Sequence, residues 1–436
     1  MNQFTASLWG DEAFTALLAQ KSLSEIVRVL IHDTAPPAHY FALHFWMKTF
    51  GTSEASIRSL SFSLYLLTAL AIFLIAHHLF QDKITALLAA LLTFFNPFFF
   101  TYAFETRMYA IMAAGVTWSM YFFLKKNWPA YILATLLALY SHHFAIFALL
   151  AQSLFSLKFY FTDKKHFKPA LLSQVAVAVG YAPWLYPLYL QTRLVATGFW
   201  LGTPTLTTLT QLIRSFLITP SLPSWTVPLT WTATGLVLVL KKWHQKLTSH
   251  LFLLAWFAFP ILATFAISQV YTSIFYDRYL LYTIPPLILL LATTPRRLSF
   301  LPLAFLLLLW TTNATLYFTH PTKRPFRELA TYVKSTKNPQ DALINWNGAA
   351  HHLWESQYYG IPAPIYLPHG PLPYYTGTAQ MTPEDTISTL PPAPKIGVIA
   401  SEPADKIALP GYTKTEVTTF GPLTFIWFAQ NAQKVR

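Results

Sequence analysis

Cysteine and charge are the two things this chain has least of. None of its 436 residues is a cysteine, which excludes a disulfide framework, a thiolate metal site and a cysteine nucleophile. Only 11% of the residues are charged, whereas a soluble domain carries about 25%. Because 54% are hydrophobic and the mean hydropathy is +0.41, the composition predicts a polytopic α-helical membrane protein.

Acidic residues are scarcer than basic ones, 17 against 30, which gives a net charge of +13. Such an excess can indicate nucleic-acid binding. Here, however, the lysines and arginines stand in short clusters between apolar runs, as in cytoplasmic loops beside anionic lipid. We therefore expect contact with membrane lipid and no nucleic-acid partner.

The apolar runs predict about ten membrane-spanning helices. Alternate connections between them are basic and are therefore predicted to be cytoplasmic; these contain Lys83, Lys125, Lys126, Lys164, Lys165, Lys168, Lys241, Lys242, Lys246, Arg296 and Arg297. The predicted spans are 57–80, 84–100, 108–124, 128–141, 143–161, 169–190, 226–240, 250–270, 279–294 and 298–317.

Three parts follow from this pattern. Residues 1–56 are expected to form an external loop with amphipathic helices at 24–31 and 40–50. Residues 57–318 form the transmembrane domain, and residues 319–436 form a small external α/β domain. In that last part we expect helices at 326–333 and 351–359, and strands at 342–346, 364–367, 395–400 and 423–428. Because the chain would then start outside, one hypothesis is that a first helix is missing from this sequence.

The few charged residues near the predicted spans collect at the external face. A transporter is instead expected to carry ionisable residues near the bilayer midplane. Simpler interpretations remain open for each group: a local ion pair for Glu105 and Arg107, a helix cap or an interfacial position for His142 and His143, and an interfacial anchor for Asp277 and Arg278. Arg58 taken singly is interpreted as structural or as a lipid-headgroup contact. The adjacent acids Asp11 and Glu12, close to the start of the chain, are either surface acids or a functional pair.

Six motifs in this order resemble the C-type polytopic glycosyltransferases, in particular bacterial proteins similar to protein O-mannosyltransferases and to the lipid A aminoarabinose transferase. They extend over about residues 7–295, and the part after them resembles the family only loosely. The motifs are WGDEAFT (9–15), DTAPPAHY (33–40), FGTSEASIRSLS (50–61), ETRMYA (105–110), YSHHF (140–144) and DRYLLYTIPP (277–286).

This resemblance implies a polyprenyl-phosphate sugar donor, an active site on the outer face of the cell membrane, and inversion at the anomeric carbon. Asp11 would be the general base for the acceptor hydroxyl, and Glu12 would orient Asp11 or the acceptor. The departing lipid phosphate needs cations, for which Arg107 and Arg278 are the first candidates. The further candidates for binding the substrate or its phosphate are Arg58, Glu105, His142, His143 and Asp277.

The sequence leaves several points open. Some C-type enzymes use a divalent metal and others do not, so two adjacent acids do not decide metal dependence, and no other cofactor is indicated. The sugar and the acceptor (a protein, a lipid or a glycan) are not identified. The alternative functions are a flippase or transporter for a lipid-linked substrate, and a non-catalytic membrane scaffold that presents the external domain.

Overall fold

The structure is a computed structural model, in which the chain forms two compact units. The α/β unit comprises Met1–Asp33, Leu43–Ile57 and Pro321–Arg436, and the helical unit comprises Thr34–Ala42 and Arg58–His320. Most of the predicted N-terminal loop thus packs with the C-terminal domain. The structure describes residues 2–218, 221–241, 244–293, 296–346, 350–368, 370, 372–374 and 377–431.

The α/β unit begins with a helix that the sequence analysis did not predict. This helix, α1 (Gly10–Ala19), carries the two adjacent acids in its first turn. The predicted amphipathic helix follows as α2 (Leu23–Ile31), where the Ser22 hydroxyl and the Glu25 carboxylate form a capping box. The second amphipathic segment is α3 (Ala38–Phe50), which crosses from the helical unit into the α/β unit.

The C-terminal part of this unit is built on one mixed six-stranded sheet, which confirms the predicted α/β class. The strand order is β3-β2-β1-β4-β6-β5, with parallel pairing from β3 to β4 and antiparallel pairing of β4 with β6 and of β6 with β5. The strands are β1 (Ala342–Asn345), β2 (Ile365–Tyr366), β3 (Thr386–Ile387), β4 (Lys395–Ala400), β5 (Tyr412–Phe420) and β6 (Leu423–Gln430).

One face of the sheet is covered by helix α17 (Phe326–Thr336), whose number follows the chain order given below. Its buried residues recur at helical spacing (Phe326, Leu329, Ala330 and Val333) and pack against Phe425 among others. Helix α18 (Ala350–Tyr358) follows β1. Strand β5 was not predicted, because its sequence YTKTEVTTF is polar and largely exposed at the edge of the sheet.

The helical unit contains helices at or near every predicted span. Among the residues that the structure describes, four segments are long and apolar enough to cross a membrane: Glu54–Phe80, Lys164–Ala196, Leu247–Val270 and Ser299–Thr319. The number of about ten spans is therefore not confirmed. The helices are α4 (Glu54–Phe80), α5 (Lys83–Phe95), α6 (Pro97–Tyr102), α7 (Tyr109–Lys125), α8 (Trp128–Ser141), α9 (Ala145–Thr162), α10 (Lys164–Tyr181), α11 (Leu185–Ala196), α12 (Leu206–Leu217), α13 (Thr226–Val239), α14 (Leu247–Val270), α15 (Ile284–Ala292) and α16 (Arg296–Thr319).

Two predicted spans are interrupted. The run 84–100 breaks at Asn96, because this buried side chain accepts a hydrogen bond from the Phe99 N–H (2.9 Å) and starts α6. The run 279–294 consists of a 3-10 helix, Asp277–Thr283, followed by α15, which has only 9 residues. Such a helix is about 14 Å long, roughly half of what the hydrocarbon core requires. Lys242 and Thr294 lie outside the described residues.

Candidate active site

The acidic pair occupies the first turn of α1, where the partial positive charge of a helix start favours carboxylates. Glu12 is completely buried, and its Oε2 lies 2.7 Å from Nζ of Lys323, which is itself mostly buried. The backbone N–H of Trp9 also reaches Glu12 Oε2 at 3.5 Å. Glu12 is therefore a fixed, charge-compensated carboxylate.

Asp11 lies in a more open environment and faces α18. Its Oδ1 is 3.7 Å from Nδ1 of His351, and 23% of the Asp11 side chain and 45% of the His351 side chain are exposed. The two helices approach so closely because residue 10 is glycine: a Cβ there would lie 2.2 Å from the Cβ of His351. One turn into α1, the rings of Phe14 and Trp354 meet edge to face, with centroids 5.4 Å apart.

A third carboxyl group, Glu355 on α18, belongs to the same region. It is completely buried, and neither of its oxygens has a hydrogen-bond partner. Burial raises the pKa of Glu355 to about 8; Arg324 opposes this shift, and the carboxylates of Asp11 and Glu12 add to it. Near neutral pH the Glu355 carboxyl group is therefore mostly protonated. We call Asp11, Glu12, Lys323, His351 and Glu355 the acidic cluster.

His352 lies next to the acidic cluster, but its environment differs from that of His351. Its Nε2 accepts a hydrogen bond from Arg324 Nη1 (3.2 Å) and lies 3.0 Å from the hydroxyl of Ser401. Burial, followed by the charge of Arg324, lowers the pKa of His352 to about 3. His352 is therefore neutral and acts as an acceptor that ties Arg324 to the sheet domain.

In the helical unit, Arg107 and Arg278 share one aromatic ring. Their Cζ atoms lie 5.9 Å and 5.7 Å from the centroid of Tyr109, and Arg278 also stacks on Tyr276 at 4.6 Å. These two arginines are 171 positions apart in the sequence, and both come from motifs that the sequence analysis selected. Guanidinium groups stack on aromatic rings and bind oxyanions through their N–H groups. We call Arg107, Arg278, Tyr109 and Tyr276 the guanidinium cluster.

Two carboxyl groups border the guanidinium cluster. Asp277 Oδ1 accepts the backbone N–H of Arg278 at 2.7 Å, and burial raises the pKa of Asp277. Glu105 acts electrostatically on Arg278. Its carbonyl oxygen accepts hydrogen bonds from the Arg107 N–H (2.8 Å) and the Ser61 hydroxyl (2.7 Å), which fixes the turn before α7.

The two adjacent histidines at the end of α8 face different partners. The ring of His142 packs on Tyr279 (4.9 Å) and lies 6.1 Å from Tyr109, so it borders the guanidinium cluster. His143 instead hydrogen-bonds the hydroxyl of Tyr181 (2.9 Å) and Oε1 of Gln191 (2.7 Å). The two adjacent rings therefore point to different surroundings within the helical unit.

The remaining predicted residue, Arg58, is completely buried on α4, one turn before Ser61. A residue that the sequence analysis did not single out is His39, which is also buried. Burial, followed by the charge of Arg107, lowers the pKa of His39 to about 3, so it lies near that arginine as a neutral ring. Its only sequence signal was its place in the DTAPPAHY motif.

A cavity of about 290 Å³ lies beside the guanidinium cluster. One face of α12 contributes Thr208, Gln211, Leu212 and Ser215, and the other wall contains Asp277. Among the residues that the structure describes, no three His, Asp or Glu side chains come together in a way that could hold a metal ion. The cavity lining itself offers hydroxyl, amide and carboxyl groups.

Comparison with known proteins gives one family and one recurrent fold. Residues 34–186 match the family model of dolichyl-phosphate-mannose-protein mannosyltransferases. This range contains Arg58, Glu105, Arg107, His142 and His143. No curated protein matches the chain.

Among solved structures, the chain is similar to ArnT from Cupriavidus metallidurans in the apo state, with a TM-score of 0.69 and 13% sequence identity over 97% of this chain and 94% of that chain. It is also similar to ArnT from the same organism bound to undecaprenyl phosphate, with a TM-score of 0.63, 13% identity and the same coverage. The resemblance deduced from the motifs is thus confirmed: this chain is a multi-pass membrane protein with the fold of ArnT, and it resembles the C-type glycosyltransferases.

Proposed function

We propose that this protein is a membrane glycosyltransferase that moves a sugar from a polyprenyl-phosphate donor to an acceptor hydroxyl on the external side of the membrane. The observation that carries the proposal is the guanidinium cluster, two arginines on one tyrosine ring, in a chain with the fold of ArnT. A phosphate group linked to a polyprenyl chain is the anion that such a cluster at the edge of apolar helices would bind.

In the proposed reaction, the acceptor oxygen attacks the anomeric carbon from the face opposite the phosphate. The new C–O bond forms as the bond to the phosphate oxygen breaks, and the electron pair of that bond leaves with the lipid phosphate. The configuration at the anomeric carbon is therefore inverted. Asp11 takes the proton of the acceptor hydroxyl, while Glu12, neutralised by Lys323, shapes the charge around it.

The charge on the phosphate rises as the sugar leaves, so the cations must stabilise the transition state more than the bound donor. We assign this role to Arg107 and Arg278. Asp277 and Glu105 fix the backbone around these arginines, and His142 borders the same ring. Arg58 and His143 remain candidates for supporting this region, because both are packed within the helical unit.

We also propose a membrane topology for this chain. We propose that the apolar helices outside the four long segments also lie in the bilayer, giving about ten crossings in the range 57–318. The lysine-containing connections then face the cytoplasm, and residues 319–436 lie on the external side together with residues 1–56. The shorter helices would need local thinning of the bilayer, snorkelling of their flanking residues or pairing with a neighbouring segment.

The direct test of the base is transfer from a polyprenyl-phosphate sugar in vesicles, comparing the wild type with Asp11→Asn. Asn has nearly the same shape but cannot accept the proton, so we expect kcat to fall by about 10²–10⁴. Asp405→Asn, an exposed aspartate in the same unit, is the matched control and should retain the wild-type rate. Near-normal turnover by Asp11→Asn would remove Asp11 from the role of base.

A further inference from the structure

The two carboxylates of the acidic pair lie beside different basic side chains. Glu12 is buried against a lysine, whereas Asp11 faces a histidine that is partly exposed. A lysine keeps its positive charge near pH 7, and a histidine does not. The proposed base is thus the carboxylate whose partner can be neutral.

We infer that His351 is the positioning residue for Asp11: as a neutral donor, it orients the carboxylate towards the acceptor without a permanent charge that would weaken it as a base. This inference rests on the proposed function. A general base is usually oriented by a third group, because a carboxylate that rotates freely spends little time in the reactive geometry. No part of the family comparison covers His351, since the matched range ends at residue 186.

The geometry supports an orienting role. His351 Nδ1 lies 3.7 Å from Asp11 Oδ1, and distances of this kind often shorten when the substrate is bound. The backbones of α1 and α18 lie so close together that only glycine fits at position 10 opposite His351. The indole of Trp9 lies beside the imidazole, with ring centroids 6.1 Å apart.

Other charged groups near His351 have separate roles. Glu12 is paired with Lys323. Glu355, one turn further along α18, is kept mostly protonated by burial. His352 is buried and accepts a hydrogen bond from Arg324. Among the described residues of α1 and α18, His351 is therefore the side chain placed to contact Asp11 and also exchange protons with water.

The inference predicts a particular pH dependence. When His351 is protonated at low pH, it carries a full positive charge and forms an ion pair with Asp11. This ion pair makes Asp11 a weaker acceptor for the proton of the substrate hydroxyl. Activity should therefore fall at acid pH, once His351 is protonated. A neutral amide at this position would orient Asp11 at every pH and remove that decrease.

Three substitutions separate orientation from charge. In His351→Asn, the amide nitrogen takes the place of Nδ1, and we expect kcat within about threefold of the wild type together with loss of the acidic limb of the pH–rate profile. In His351→Leu the donor is lost, and we expect kcat to fall by about 10–100-fold with little change in the KM for the lipid donor. In His351→Lys the donor is permanently charged, and we expect a loss at least as large as for leucine. His32→Gln, at an exposed histidine of the same unit, should match the wild type.

The results that would overturn the inference are a wild-type rate and pH profile for His351→Leu, or equal losses in the asparagine and lysine variants with unchanged melting temperatures. If the leucine variant does not fold, the asparagine and lysine variants decide, because both are polar at a partly exposed site. The proposed function fails in a different way: Asp11→Asn would then remain active. An inactive Asp11→Asn combined with a fully active His351→Leu would refute only the role of His351.

Discussion

The acidic cluster and the guanidinium cluster arrange their charged groups in different ways. In the α/β unit, the buried carboxylate of Glu12 is matched by a lysine at 2.7 Å, and the buried Glu355 is kept mostly protonated near neutral pH. In the helical unit, two like charges are placed on the same tyrosine ring. The first arrangement keeps buried carboxyl groups paired or protonated, whereas the second brings two guanidinium groups to one aromatic ring, with Glu105 and Asp277 at its border.

This difference gives the largest expected effect on stability. Lys323→Met leaves the completely buried Glu12 carboxylate without its lysine, and breaking a buried pair in this way costs about 3–5 kcal/mol. We expect a large decrease in the melting temperature, which the double variant Glu12→Gln/Lys323→Met should largely restore. Lys406→Met, at an exposed lysine of the same unit, is the control. A melting temperature unchanged by Lys323→Met would contradict the buried ion pair.

The next effect concerns catalysis through the guanidinium cluster. Arg278→Lys keeps the charge but loses both the planar stacking on Tyr276 and the bidentate edge. If Arg278 stabilises the leaving phosphate, kcat should fall by about 10²–10³, the usual cost of removing one donor to a developing oxyanion. Arg193→Lys, at an exposed arginine of the same unit, should have little effect. Full activity of Arg278→Lys would show that a point charge is sufficient there.

The last effect is on the pH dependence of stability. The pKa of Glu355 is about 8 in the fold, against an ordinary value of 4.5. Between these values the folded protein binds more protons than the unfolded chain, so the free energy of unfolding contributed by this group falls as the pH rises from about 4.5 to about 8. In Glu355→Gln this decrease should disappear, which can be measured as a smaller difference between the melting temperatures at pH 5 and pH 8. Glu384→Gln, an exposed site, should keep the wild-type difference, and an unchanged difference in Glu355→Gln would argue against a protonated Glu355.

The two clusters also differ in how far they could be predicted from the sequence. The sequence analysis singled out Arg107, Arg278, Glu105, Asp277 and His142, because a polar residue beside an apolar run is conspicuous, and their roles stay predictions. What was not predicted is the shared ring of Tyr109, since one more aromatic residue is not informative in a chain with 17% of them. The motifs identified the parts of the guanidinium cluster but not its packing.

In the acidic cluster, the sequence analysis singled out Asp11 and Glu12, whose catalytic roles stay predictions, but not the side chains that lie beside them. Lys323 lies 311 positions from Glu12, in a part of the chain where charged residues are common and therefore not conspicuous. Glu355 and His351 lie on a predicted helix, but their burial depends on the packing of α1 against α18 through Gly10. A helix of 10 residues near the start of the chain gave too short a pattern to predict that contact.

The central claim is that the sugar is transferred rather than carried across the membrane with its lipid. The direct measurement is to incubate the purified protein in vesicles with a polyprenyl-phosphate sugar and an acceptor mixture, and to determine the mass of the lipid product. If the sugar is transferred, free polyprenyl phosphate should form in a 1:1 ratio with sugar attached to acceptor. Movement of the intact sugar lipid to the opposite leaflet, without release of polyprenyl phosphate, would contradict it and would indicate a flippase.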